Sequence, residues 1–338
     1  MKPKGIRAAS GVLILFLALS LGSRLIPALD LDKLTEEASL IAVGEITLLQ
    51  EEGTTTLLLE DHSVPARAMV AELRVDQVLK GSGNTSSSFL RFHFAVPKDS
   101  SGWVRVRPLD YRIFFLKESS DGLTLVSPYY PSLPAVPGRE PPEGIPIERV
   151  VDQLEAVLVS ATTPLEQKQE AVFALSRTKA VAGTRALRKN AEQKDFTLRL
   201  SIAGALLERN DISALPFAEA ILLDQHPSAP PYLLHNLTYG ISEGVKNEEA
   251  VPSLIRLLHA PSTETRRAAA SALMHISSNS AIAPLMAALS DSDLQVRYYS
   301  AVGLAEITGQ MDWRPNMDDF ISDQQRYLNH WREWGRNR

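Results

Sequence analysis

The spacing of apolar residues changes once along this chain, and the change divides it. Between Ala38 and Val126 apolar positions recur mostly at every second residue. Ala38–Leu49 (ASLIAVGEITLL) is rich in β-branched residues and predicts a strand, with Gly44 marking a bulge or a close backbone approach. Arg67–Leu79 fits helical spacing and alternation alike, but Lys80-Gly81 bounds it as a strand would be bounded. Phe89–Val96 alternates cleanly, setting Phe89, Arg91, His93 and Ala95 against Leu90, Phe92, Phe94 and Val96. Tyr111–Lys117 and Leu123–Val126 complete five strands, with turns expected at Glu51–Thr56, Gly81–Ser88 and Lys98–Gly102. Such a run predicts a small antiparallel β-barrel or sandwich over residues 33–130.

Six prolines then fall between Pro131 and Pro146, which predicts a linker over 131–146. From Ile147 to residue 310 the period is helical. Thr163-Pro164-Leu165-Glu166 reads as a capping box, and Asp291 or Asp293 as a cap for the helix carrying Val296. Arg266 and Arg297 lie 31 residues apart, as do Leu273 and Leu304, and Ile276 and Ile307. Arg199 with Leu206, and Lys168 with Leu175, repeat the same internal offset. The series predicts an all-α solenoid of about five helix pairs, starting near Ile147, Ala182, Ala214, Glu249 and Ala281. The third pair lacks the basic position, which falls on Pro230. A terminal pair must be covered, and Trp313, Phe320, Tyr327, Trp331 and Trp334 in 311–338 supply an aromatic cap.

Two resemblances rest on these residues. The succession ASLIAVGEI, VDQVLKG and YRIFFLK, within Leu40–Val126, resembles the netrin- or tissue-inhibitor-like branch of the OB-fold barrels. The disulfides of that branch's eukaryotic members are missing here, so their inhibitory function does not carry over. AVPSLIRLLHAPSTETRRAAASALMHI and AIAPLMAALSDSDLQVRYYSAVGLAEI resemble HEAT repeats, in the short form named after the phycobilin lyases. That resemblance implies a multidomain β + α chain whose helical half is a scaffold, and it implies little about chemistry.

Composition narrows the setting. The net charge of −5 argues against a nucleic-acid partner. The chain has no cysteine, which excludes disulfides, thiolate metal sites and a cysteine nucleophile. Lys2, Lys4 and Arg7 precede the apolar run Val12–Leu21, so residues 1–23 read as a signal peptide. An exported protein is expected, periplasmic, secreted or envelope-associated, with membrane association if the signal is retained. The seven histidines form no metal or catalytic pattern, and no G-x-S-x-G or phosphate loop occurs. No catalytic residue, metal or cofactor is expected.

Arg199, Arg266 and Arg297 suit internal struts between repeats. Arg267, Tyr298 and Tyr299, on second helices, are the candidate partner-binding residues, facing a protein or peptide on the concave surface. The function expected is a non-enzymatic adaptor. An enzyme or accessory subunit working at the barrel–solenoid cleft, or a structural envelope protein, stand as alternatives.

Overall fold

The computed structural model describes residues 27–59, 62–81, 88–98, 106–140 and 143–337, so the expected signal peptide lies outside the described residues. A short helix, α1 (Leu31–Glu37), opens them, its first turn capped by Asp30 accepting from the Lys33 N–H at 2.9 Å. Six strands follow: β1 (Leu40–Leu59), β2 (His62–Lys80), β3 (Phe89–Pro97), β4 (Tyr111–Ser119), β5 (Gly122–Leu125) and β6 (Ser132–Pro134). Their hydrogen-bonded order is β1-β2-β3-β5-β4-β6, with β3 and β5 parallel. β4 also pairs back onto β1, from Leu40↔Leu116 to Glu45↔Tyr111, so the ladders of the first five strands form a closed circuit.

Two expectations along this sheet are corrected. The turn expected at Glu51–Thr56 is strand, because β1 and β2 make one long hairpin with paired residues out to Leu59↔His62. A register shift between Glu51 and Gly53 absorbs the extra residue, and three β-branched threonines, Thr54–Thr56, carry the strand onward. Gly44 sits at another such shift, where any Cβ would run into the Arg74 carbonyl oxygen. The stretch 131–146 is not a free spacer at its start. Pro131 to Ala135 are buried, and Ser132–Pro134 pairs with β4 as an edge strand, where proline's missing N–H costs no ladder bond.

Strand alternation sorts side chains into two cores. Leu40, Ala42, Leu73, Phe92, Phe94, Phe114 and Leu116 fill one within the sheet. On β1 and β4 the opposite parity, Ile41, Val43, Ile113 and Phe115, joins Leu79, α1 and the helices that follow in a second, larger core.

The helical region is paired throughout: α2 (Pro146–Val159) with α3 (Leu165–Ser176), α4 (Val181–Lys189) with α5 (Phe196–Glu208), α6 (Leu215–Asp224) with α7 (Pro231–Tyr239), α8 (Val251–Leu257) with α9 (Thr263–Ile276), and α10 (Ile282–Ala288) with α11 (Leu294–Thr308). A 3-10 turn leads into each of α6, α8 and α10. The capping box is corrected: α3 starts at Leu165, and Pro164 occupies the cap position with no side-chain cap bond. Asp293 caps α11, accepting from the Gln295 and Val296 N–H groups. The third pair departs from the rest, since α7 runs on into a π turn, Gly240–Gly244. Two last helices, α12 (Met317–Ser322) and α13 (Gln324–Arg336), close the array, burying Phe320, Tyr327 and Trp331. Among the described residues no helix is long and apolar enough to cross a membrane. The architecture is the β-plus-helical-repeat class expected from the sequence.

Candidate functional site

The second helices α3, α5, α7, α9 and α11 pack on one another in succession. Small residues permit it: a Cβ on Gly240 would lie 2.8 Å from the Gly204 carbonyl oxygen, so α7 and α5 meet backbone to backbone. Helices packed side by side are 8–10 Å apart, which puts α3 and α7 about 16–20 Å apart in a straight array. Yet Gln169 on α3 donates through Nε2 to the Tyr232 hydroxyl on α7 at 3.1 Å, and to the intervening Ser201 hydroxyl at 3.0 Å. Side chains two units apart therefore meet across α5, and this bond ties three successive second helices on one face.

A row of polar contacts continues along that face. His235 Nδ1 lies 2.5 Å from Glu264 Oε1, which also accepts from the Thr238 hydroxyl at 3.1 Å. Arg267 forks onto Asp293, with Nε to Oδ1 at 2.8 Å and Nη2 to Oδ2 at 2.5 Å. The guanidinium and the cap N–H groups together hold the Asp293 carboxyl down to about 2. Tyr299 is raised by burial and by the nearby Glu243 charge. Each bond joins one unit to the next.

The candidate residues are therefore placed as follows. Arg267 is on that row of contacts but committed to Asp293, with its side chain 43% exposed. Tyr298 and Tyr299 are partly buried against the core, their rings 5.5 Å apart, and Tyr298 packs on Phe320 at 5.6 Å. The open aromatic rings on this face are Tyr232 and Tyr239, 43% and 48% exposed. Sequence reasoning passed over them because the third pair lacks the repeat's basic marker, and the π turn after Tyr239 shifts the helical register.

The arginine series runs through the turns. Arg266 Nη1 donates to the Ala260 and Pro261 carbonyls, while Nε and Nη2 grip Asp291 of the next unit at 2.8 and 3.2 Å. Arg297 donates to the Asp291 and Ser292 carbonyls and to Gln324 Oε1, the same geometry one unit on. Arg199 pairs with Glu192 at 2.8 Å and lies over the Phe217 ring at 4.2 Å. Among the described residues no group of three or more His, Cys, Asp or Glu side chains is placed to hold a metal.

Residues 228–305 match the family of HEAT repeats. No curated protein matches the chain. Among solved structures, the complex of CpcE and CpcF of phycocyanin lyase from Nostoc sp. PCC7120 is similar over 54% of this chain and 72% of that one, at 21% identity and a TM-score of 0.38.

Proposed function

We propose that this protein is an exported, non-enzymatic adaptor whose helical array holds a protein or peptide segment along its concave face. The observation that carries this reading is the pair of open rings, Tyr232 and Tyr239, on a face whose own polar groups are already joined in pairs. Aromatic rings bring large contact area at low entropic cost, and pre-paired polar groups form a rim that needs no rearrangement on binding. The absence of cysteine and of recognisable nucleophile or metal-site motifs in the sequence supports a binding role over catalysis. Export rests on the basic and apolar order of the first residues. The closed circuit of ladders fits an OB-type barrel, which would stand as a second contact surface.

Site-specific photo-cross-linking tests the reading. A photoreactive residue at Tyr232 or Tyr239 should give discrete protein adducts in intact cells. The same residue at Val181, 81% exposed on the first helix α4, should not. Identical adduct patterns from all three positions would overturn the concave-face assignment.

A further inference from the structure

The last unit carries two surfaces that the proposed binding face does not use. One is an open groove of about 770 Å³ between α10 and α13, floored by Ile282, Met286 and Trp334 and edged by Arg332 and Arg336. Both arginines are exposed, and among the described residues neither forms an ion pair with a carboxylate; Arg336 Nε donates only to the Arg332 carbonyl of its own helix at 3.3 Å. The other surface is acidic and apolar. On α12 Ile321 is 58% exposed one turn from Asp318, and in the turn before that helix Met311 is 57% exposed next to Asp312; both carboxylates are exposed and make no ion pair among the described residues.

An apolar floor rimmed by charge is the form contact surfaces take, and Ile321 on the six-residue α12 is an exposed apolar side chain of the kind such a floor accepts. Earlier first helices in the array lie against a following one, as α2 lies against α4 and α6 against α8. The outer flank of α10 is where that neighbour would fall, and α13 covers it only in part. Apolar floor with positive rim, and apolar knob with negative rim, are matched in both character and sign.

We propose that the occupant of the groove is a second copy of this chain. Ile321 with Asp318, and Met311 with Asp312, are seated against Trp334, Met286, Arg332 and Arg336 of the other copy. The contact extends the array across two molecules and leaves both concave faces open.

Sedimentation velocity of the full chain, over about a hundredfold range of micromolar concentration, reads the association directly. Wild type should show a concentration-dependent dimer that weakens as salt is raised, since exposed charge pairs are screened. Arg332→Glu with Arg336→Glu should weaken it at least about tenfold, or about 1.4 kcal/mol. Asp312→Arg with Asp318→Arg should do the same. All four positions are exposed, so each double variant should keep the wild-type melting curve. Mixing the two should restore a dimer that neither forms alone, because each mismatched groove then meets a complementary edge. A monomer at every concentration, or a dimer indifferent to both charge reversals, overturns the proposal. So does a monomeric chain that instead binds phosphatidylglycerol vesicles through Arg332 and Arg336, since the groove would then face a lipid surface.

Discussion

Asp293 does two things at once. Its carboxylate caps α11 through the Gln295 and Val296 N–H groups, and it receives both arms of the Arg267 fork from the preceding unit. Removing a cap of this kind costs about 1 kcal/mol, and the fork to Arg267 adds to that loss, so Asp293→Ala should lower stability by roughly 1–2 kcal/mol near neutral pH. The carboxyl is held at about 2, below its ordinary value of 3.8. A depressed carboxyl contributes stability that is complete above the unfolded value and is lost as pH falls toward the folded one. The urea midpoint difference between wild type and Asp293→Asn should therefore be full at pH 5 and shrink between about pH 4 and 2. A difference that stays constant over that window would show that the charge on Asp293 contributes nothing. The two neighbouring candidates behave otherwise. Tyr298 is packed on Phe320 and Tyr299 is partly buried, so alanine at either removes core contacts as well as any binding contact.

At the scale of elements, the repeat was legible wherever its chemistry demanded particular residues. The turn arginine must reach two carbonyls of its own turn and a group of the next, so it recurs at a fixed interval, and a spacing of 31 residues reports that geometry. The strands of the sheet were legible from alternation, but their ends were not. Glu51-Glu52-Gly53 has the composition of a turn, and only the pairing with β2 shows that a bulge carries the strand through it. β6 was hidden by its prolines, which bar a central strand and permit an edge one. For the site, the sequence named Arg267, Tyr298 and Tyr299 as candidates but not Tyr239, because the π turn Gly240–Gly244 has no signature in spacing. That turn is held by close backbone contact: a Cβ on Gly244 would overlap the Leu207 carbonyl oxygen and the Glu208 backbone. Gly244→Ala should accordingly cost about 1–3 kcal/mol, as overpacked interiors do, and change the exposure of Tyr239. Thermal melting and the accessibility of Tyr239 to iodination check both parts. An alanine variant as stable as wild type would mean that α5 and the π turn can separate freely.

At the scale of the whole molecule, the sheet and the solenoid have no independent boundary. One core takes in Leu31 and Leu34 of α1, Ile41, Ile113 and Phe115 of the sheet, and Val150, Leu154 and Val157 of α2. Polar bonds cross the same junction. Asp32 accepts from the Thr178 hydroxyl at 2.9 Å and the Lys179 N–H at 2.6 Å, Gln153 donates to Gln77 at 2.6 Å, and Arg139 pairs with Asp152 at 2.7 Å. The more buried of the two ion pairs is Arg112–Glu170, 2.6 Å long with side chains 6% and 15% exposed, where Arg112 also donates to the Ser132 hydroxyl. Two domains joined by a flexible tether would melt separately, whereas halves that share a core cannot lose one without exposing the other. Calorimetry should therefore give one transition whose van't Hoff and calorimetric enthalpies agree across the sheet and the helices packed on it. Glu170→Ala leaves a buried guanidinium without its counter-charge, a loss of about 3–5 kcal/mol. If the coupling holds, that loss lowers the single transition as a whole. If the sheet and the solenoid are energetically separate, the same substitution splits the transition in two, with the sheet melting first and the helices at their original temperature.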